Sequence, residues 1–420
     1  MDEITQAGLL LEQIFATHNA ADKLLDHHFR THRSGQFQRR HIGALVYRVL
    51  RFRDLLEARH HHHFPNLPPT LKSLTAMAAM EIAQESGATP LHWPPPLPPI
   101  AKIEEPFQID QLPPWKQLSV PPWIWESWLR QWGQEETQAL AEALNNPGMV
   151  DIRVNIRKTT RQALQTQLES LGILSQATPC SPDGLRLHGR PALSTLAPFQ
   201  QGFFEVQDEG SQLIGHLVAP QPGMTVIDFC AGAGGKSLHM AALMADRGRV
   251  WAIDTDAKRL QRLNPRSKRG GLKCITPLTI RHEGDRALKK LQGGALRVLV
   301  DAPCSATGTL RRNPDIKWRL TPDALETFHM RQCAILQAAA RLVAPRGRLI
   351  YATCSLMARE NEEVVNGFLA EYRDFHLVPH SQIASLTPCQ GLHPTSPFFT
   401  LHPHRSQTDG FFAAILERKS

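Results

Sequence analysis

The sequence predicts an α/β fold: a doubly wound, mostly parallel sheet in the second half of the chain, preceded by a small α+β module and an N-terminal helical domain. Three observations predict it. From about residue 210, short apolar runs alternate with helix-like stretches, the pattern of strand–helix–strand units. Residues 150–156, Val-Asp-Ile-Arg-Val-Asn-Ile, alternate apolar and polar side chains as a half-buried strand does. Leu45, Val49, Phe52 and Leu56 recur at helical spacing and form one apolar stripe.

Composition narrows the function classes. A chain of 420 residues has room for two or three domains. Lys and Arg number 47 and Asp and Glu 39, a formal charge of +8. That balance points to an anionic partner, nucleic acid before membrane. No apolar stretch reaches the roughly 18–20 residues of a membrane helix. Met1-Asp2-Glu3-Ile4 lacks the basic-then-apolar pattern of a signal peptide. No membrane partner is expected, and a cytoplasmic monomer is. The 7 cysteines include no CxxC pair, so the spacing suggests neither a disulfide framework nor a zinc ribbon.

Taken in order, residues 1–92 read as the helical domain. Arg40, Arg48 and Arg51 fall off its apolar stripe. They form either a basic face for RNA or an ordinary solvated face, and on this segment alone the second reading is favoured. The four histidines at 60–63 have no cysteine or carboxylate cluster nearby to complete a metal site, so a loop is expected and no metal. Residues 93–121, with Pro94-Pro95-Pro96-Leu97-Pro98-Pro99, read as an extended linker or strap, because proline blocks helix and sheet interiors. Residues 122–205 read as the small module. Trp123, Trp125, Trp128 and Trp132 serve as packing anchors at its start, followed by the strand at 150–156 and a helix at 160–171. Residues 206–420 form the doubly wound domain. Strands are expected at 226–229, 250–254, near 274–277, at 297–301, 348–353 and 411–416, with a helix over 236–244 after the first.

The chemistry concentrates at the strand ends. Cys230-Ala231-Gly232-Ala233-Gly234-Gly235-Lys236 joins the first strand to the first helix, and its glycines let backbone approach a ligand. Asp254 ends the next strand about twenty residues on, where a carboxylate can bind ribose hydroxyls. The turn matches neither G-x-G-x-x-G nor the P-loop, so a dinucleotide is disfavoured and S-adenosylmethionine fits better. Asp285, after the third strand, is placed to accept from an adenine amino group.

Two thiols, Cys304 in Asp301-Ala302-Pro303-Cys304-Ser305 and Cys354 in Tyr351-Ala352-Thr353-Cys354-Ser355, each follow an apolar run. Each sits where a buried parallel strand would end, and ligands bind beyond those ends. A thiolate adding to carbon 6 of a pyrimidine makes carbon 5 reactive toward a methyl donor. Asp301 is placed to support the ring by hydrogen bonding. Either cysteine alone reads better as a small buried apolar residue; the pair with Asp301 and the Gly-rich turn reverses that. Arg311 and Arg312 could grip phosphates beside the site. Arg262, Arg266, Lys268, Arg269 and Lys273 suit either a loop near RNA or a solvated charged loop.

These segments resemble the RsmB/Sun/Nop family of RNA cytosine-C5 methyltransferases over roughly residues 120–420. The resemblance rests on the Asp228-Phe229 strand end with the turn that follows it, the proline–cysteine and threonine–cysteine motifs, Glu360-Asn361-Glu362, and Asp409-Gly410-Phe411-Phe412. Arg153-Val154-Asn155 is similar to the R-x-N segment of the family's small RNA-binding module, and Gln207-Asp208 also fits. The first ninety residues resemble a NusB-like RNA-binding domain through Arg39-Arg40-His41-Ile42 and the segment 46–51. One departure is Ala233, where many members carry proline, which implies a more mobile loop. The resemblance implies a Rossmann-like methyltransferase domain that uses S-adenosylmethionine. It implies Cys354 as nucleophile and Cys304 in product release, an order the residues alone leave open. Implied cofactor contacts are Cys230, Ala231, Gly232, Ala233, Gly234, Gly235, Lys236, Asp254, Asp285 and Asp301. The expected substrate is RNA, rRNA before tRNA. A uracil-C5 methyltransferase and a non-catalytic RNA-binding assembly factor are the alternatives.

Overall fold

The computed structural model describes residues 2–17, 19–32, 34–86, 107–383 and 396–420. The proline run at 94–99 lies outside the described residues. Two compact units emerge: Met1–Pro147 with Thr309–Thr321, and Gly148–Gly308 with Pro322–Ser420. In chain order the first part holds helices α1 (Glu3–Thr17), α2 (Ala21–Thr31), α3 (Gln36–His63), α4 (Leu71–Ser86), α5 (Pro114–Gln117), α6 (Pro122–Trp132) and α7 (Gln134–Asn145). Next come β1 (Val150–Val154), α8 (Arg161–Ser170), β2 (Ser175–Ala177), β3 (Gly184–Leu187), α9 (Ala197–Gln200), β4 (Phe204–Val206) and α10 (Glu209–Val218). Then follow β5 (Thr225–Asp228), α11 (Gly235–Leu243), β6 (Arg249–Asp254), α12 (Ala257–Gln261), α13 (Leu263–Gly270), β7 (Ile275–Thr279) and β8 (Ala295–Asp301). The chain closes with α14 (Ile316–Arg319), α15 (Pro322–Ala340), β9 (Val343–Thr353), α16 (Glu362–Glu371), β10 (Phe375–Val378), β11 (Phe399–Leu401), α17 (Pro403–Ser406) and β12 (Phe411–Arg418).

In the first unit α1, α3 and α4 share a core that includes Leu10, Leu11, Leu45, Val49, Leu56 and Leu74. Three of the four expected stripe residues are therefore buried, and the fourth marks a break. Phe52 has φ −124° and ψ 29°, which kinks α3. The kink diverts the helix ladder. Leu55 N donates to Ser119 Oγ at 3.1 Å. The carbonyl of Arg51 then accepts from Lys317 Nζ at 2.7 Å, and that of Leu50 from Trp318 Nε1 at 2.7 Å. The segment Thr309–Thr321 is thus part of this unit by hydrogen bonding as well as by packing. Burial pushes the Lys317 ammonium down to about 7, with the nearby Arg51 charge adding to the effect. The four histidines expected as a loop instead form the last turn of α3, with His60 fully buried.

The second unit begins with a four-stranded antiparallel sheet, order β2-β3-β1-β4. Helix α8 covers it, starting at a Thr160 cap whose side chain accepts from Ala163 N. Ile152, Val154, Leu164, Leu168, Leu185 and Phe204 form the core. The sequence pattern joins 122–147 to this module, whereas by contacts α6 and α7 group with the N-terminal helices. Trp125 and Trp128 are buried there as packing anchors.

The large sheet runs β10-β12-β9-β8-β5-β6-β7, with β11 added to β12. Strands β7, β6, β5, β8 and β9 are parallel; β12 and β10 are antiparallel additions, as is common at the edge of a parallel sheet. Side chains alternate between two cores. Val226, Leu299 and Ile350 pack with Leu213, Leu217 and Leu238 of α10 and α11. Ile227, Val298, Val300 and Tyr351 pack with Leu336 of α15 and Val365 of α16. From β5 the chain winds outward to β7, then returns to β8 on the other side of β5. The crevice between β5 and β8 is therefore the topological switch point, where such sheets bind ligands. Among the described residues, no helix is long and apolar enough to cross a membrane. Cys180 is held in a disulfide, which the cysteine spacing did not suggest; Cys230, Cys274, Cys304, Cys333 and Cys354 are free.

Replacing Trp318 by Phe keeps the ring but leaves Leu50 O without its donor at the kink. Trp318→Phe is expected to lower stability by about 1–2 kcal/mol, read as a shift in the denaturant midpoint of the full chain; an unchanged midpoint contradicts the role of this contact.

Candidate active site

The strand ends at the switch point bring the expected residues together. β5 ends in Asp228, which is buried. Its Oδ2 accepts from Ser237 Oγ at 2.6 Å, while Oδ1 is buried with no partner. Burial pushes this carboxyl up to about 7; the Ser237 hydrogen bond opposes that and the Asp301 charge reinforces it. The turn then closes through Gly234 N to Ala231 O at 2.8 Å. Gly232 has φ +56° and Gly234 φ +81°. A Cβ at Gly234 would lie 2.3 Å from Leu263 Cδ1, so only glycine fits. A Cβ at Gly235 would meet nothing nearer than side-chain tips at 3.9 and 4.0 Å. The turn is thus a backbone cradle with an open side. Asp254, at the end of β6, accepts from Gly232 N at 2.6 Å and from Asp256 N at 2.8 Å. A cradle of positive-φ glycines, a strand-end carboxylate and an orphaned acid oxygen fit a nucleoside-bearing methyl donor.

At the end of β8, Asp301 Oδ2 binds Lys236 Nζ at 2.6 Å. Burial works to lower the Lys236 ammonium, but the Asp301 carboxylate outweighs it and holds the group above its usual range. Cys304 and Cys354 meet with their Sγ atoms 3.4 Å apart. The Cys304 thiol is pushed well above the ordinary range by its hydrogen bond to Cys354 and by burial. The thiol of Cys230, in the turn itself, is raised chiefly by burial.

Asp285 stands differently. Its carboxylate accepts from Ala287 N at 3.0 Å and Arg281 N at 2.9 Å, and these backbone bonds pull it down to about 2. It caps its own turn. Three of the basic residues singled out in the sequence, Arg266, Arg269 and Arg311, are also engaged. Arg266 and Arg269 both pair with Glu205, and Arg266 Nη1 donates to Ala233 O at 2.5 Å. Arg311 is buried within the first unit, its carbonyl accepting from Arg51 at 2.8 Å. Arg153 Nη1 donates to Gly235 O at 3.0 Å, and Asn155 Nδ2 donates to Gly202 O and Gly270 O at 3.0 and 2.9 Å. Arg153 therefore ties the small sheet to the Gly-rich turn, and Asn155 ties it to the end of α13.

Sequence reasoning missed two buried clusters. Glu360, known only as part of a motif, bonds Ser305 and Ser355, the residues after the two cysteines. Asp183, His216 and His239 also gather, with Asp183 Oδ2 at 3.1 and 3.3 Å from the two Nε2 atoms. Burial, then the Arg153 charge, pushes His239 down to about 3. No local spacing signals either cluster, because their members come from separate elements.

Residues 215–417 match the family described as 16S rRNA methyltransferase RsmB/F, and residues 120–194 match its ferredoxin-like domain. A probable ribosomal RNA small subunit methyltransferase B from Synechocystis sp. is 36% identical over 307 residues, covering 72% of this chain and 68% of that protein. The chain belongs to the RsmB/F family. Family membership makes it a methyltransferase that uses S-adenosylmethionine. The ribosomal RNA small subunit methyltransferase B of Cronobacter sakazakii is 34% identical over 70% of this chain, and the chain spans 64% of that relative's length. Among solved structures, the protein PH0851 matches 100% of this chain and 99% of its own at TM-score 0.77 and 26% identity. A methyltransferase homolog from Pyrococcus horikoshii matches 71% of this chain and 100% of its own at TM-score 0.59 and 26% identity.

The raised Asp228 carboxyl gives a pH prediction. Its unfolded pKa is about 3.9, so the folded state binds the proton more tightly. The stability it contributes is complete below about pH 4 and is lost as pH rises through about 7. Asp228→Asn removes that loss. Relative to the native protein, Asp228→Asn is expected to gain in guanidinium midpoint between about pH 5 and about pH 8; a pH-independent difference contradicts it.

Proposed function

We propose that this protein methylates carbon 5 of a cytosine in small-subunit rRNA through a covalent cysteine–pyrimidine intermediate, with Cys354 as nucleophile. The observation that carries the reading is the 3.4 Å approach of the Cys304 and Cys354 Sγ atoms, in the crevice that also holds the Asp301–Lys236 pair. The names of the Synechocystis and Cronobacter relatives support rRNA as the substrate.

Carbon 5 of cytosine is a poor nucleophile. Cys354 Sγ adds to carbon 6, forming a C–S bond and moving the ring's electron pair to carbon 5 as an enamine. Asp301 hydrogen-bonds the ring nitrogen or exocyclic amine and supports that electron density. Lys236 holds the Asp301 carboxylate in place. S-adenosylmethionine, when bound, supplies the methyl group to carbon 5. Cys230, Ala231, Gly232, Ala233, Gly234, Gly235, Lys236, Asp254, Asp285 and Asp301 are the residues that would hold it. A base, water where no side chain reaches it, then takes the carbon-5 proton; the C–H electron pair restores the ring double bond and the C–S pair leaves with Cys354 Sγ, a release in which Cys304 assists. The helices of 1–92 and the module at 122–205 serve RNA binding in this reading, and the enzyme works as a cytoplasmic monomer.

Single substitutions separate the thiols. Cys354→Ala is expected to abolish both methylation and the protein–RNA adduct. Cys304→Ala is expected to accumulate the adduct, seen as a shifted, RNA-bearing band in denaturing gels. Adduct accumulation in Cys354→Ala instead would exchange the two roles.

A further inference from the structure

Glu360 is fully buried, and the guanidinium of its neighbour Arg359 engages Glu326 and Glu363 instead. A carboxylate taken out of water is costly unless hydrogen bonds replace the water. Here they do. Ser305 N at 2.8 Å and Gln332 Nε2 at 2.9 Å donate to Oε1, and the hydroxyls of Ser305 and Ser355 donate to Oε2. Ser305 follows Cys304 and Ser355 follows Cys354, so one carboxylate holds the residue after each thiol. Gln332 extends the hold to Pro303 O at 3.0 Å. Thr307 Oγ1 lies 3.3 Å from Ser355 Oγ and accepts from Leu356 N at 2.8 Å. Two loops from different strands share one hub, and charge-assisted bonds in such a network are the strong, rigid kind.

We propose that Glu360 is a positioning residue for methyl transfer: it fixes the gap between the two thiols and, by its charge beside Cys304, keeps Cys304 the proton-bearing member of the pair. The proposal rests on the reading of Cys354 as nucleophile. The 3.4 Å contact admits either sulfur as donor. A carboxylate next to Cys304 opposes a second negative charge there, so the S–H stays on Cys304 and points at Cys354. Among the described residues, the Cys354, Glu360 and Tyr351 groups lie close enough to Cys304 to interact with its charge. Lys236 lies close enough to Cys354 for the two groups to interact. Hydrogen bonding to Cys354, burial and the Glu360 charge all push the Cys304 thiol up. The asymmetry orders two thiols that their spacing leaves equivalent.

Two variants of the full chain test it. Glu360→Gln keeps the size and lets the amide donate to a serine hydroxyl, but removes the charge. Glu360→Asp keeps the charge and shortens the reach. Calorimetry of S-adenosylmethionine binding reports whether each is folded. Steady-state methylation of a small-subunit rRNA transcript gives kcat and KM, and iodoacetamide labelling of Cys304 against pH, read by peptide mass spectrometry, gives its ionisation midpoint. Glu360→Gln is expected to lower kcat roughly tenfold or more with KM for RNA within about twofold, and to move the Cys304 midpoint to lower pH. Glu360→Asp is expected to lower kcat and leave the midpoint in place. A native-like kcat in either folded variant, or an unmoved midpoint in folded Glu360→Gln, overturns the proposal. The underlying reading fails separately: a native protein that forms no adduct with 5-fluorocytidine RNA sinks the Cys354 assignment whatever Glu360 does.

Discussion

The parallel pairing of β8 with β9 is the constraint on which the site depends. Asp301 is registered with Ala352, so both strands end at one height and their continuations leave the sheet side by side. Ala302 N donates to Ala352 O at 2.8 Å just past the ladder, and Gly308 N donates to Cys354 O at 2.9 Å. A third strand presses on the same place, since Gly410 N donates to Gly308 O at 2.8 Å just before β12 begins. A Cβ at Gly308 would lie 2.3 Å from Gly410 O and 2.8 Å from Cys354 O. A slip of one residue would turn Asp301 to the other face of the sheet, breaking its bond to Lys236 and parting the thiols. The 3.4 Å sulfur contact is therefore a product of strand register, with the Glu360 hub locking the loops that register delivers.

Charge is arranged around this frame mostly inward. The basic residues that a sequence reader would assign to RNA are in large part paired within the chain. Arg48 faces Glu81 and Glu85, and Arg266 and Arg269 share Glu205. Arg51 is buried, with its guanidinium donating to Arg311 O at 2.8 Å. A net charge of +8 still biases the chain toward an anionic partner, but these arginines act first as structural ties. Within the site the acids Asp228, Asp254, Asp301 and Glu360 surround a single described ammonium, Lys236, bound to Asp301. Burial raises Asp228, and the Cys354 hydrogen bond with burial raises Cys304; the nearby acid charges add to both.

The parts of this architecture that repeat locally were readable from the sequence. Strands β5, β6, β8 and β9 fall where apolar runs end in Asp or Thr, and the Gly-rich turn announces a close backbone approach. The helix α8 shows in its cap and apolar spacing. What depends on distant partners was not readable. Residues 309–321 look like a continuation of the cysteine loop, yet Lys317 and Trp318 belong to a kink in α3. The edge strands β10 and β11 are short and gain their place only by pairing with β12. Glu360 shows in a motif without any sign that it joins two loops.

Ala233 shows how such distant contacts can stand in for a local one. Proline there would fix φ and stiffen the cofactor turn; alanine lacks that restraint, and a mobile loop was the expectation. In the fold, Arg266 reaches Ala233 O at 2.5 Å and is itself held by Glu205 of β4 at 2.8 Å. Arg153 holds Gly235 O from β1, and Gly232 N is held by Asp254. The turn is thus tied at Gly232, Ala233 and Gly235, at Gly235 by the small sheet directly and at Ala233 through an arginine that Glu205 of the small sheet holds. Restraint that a proline would build into the backbone comes here from side chains of another layer, so the geometry of the cofactor turn depends on the docking of the antiparallel module onto it.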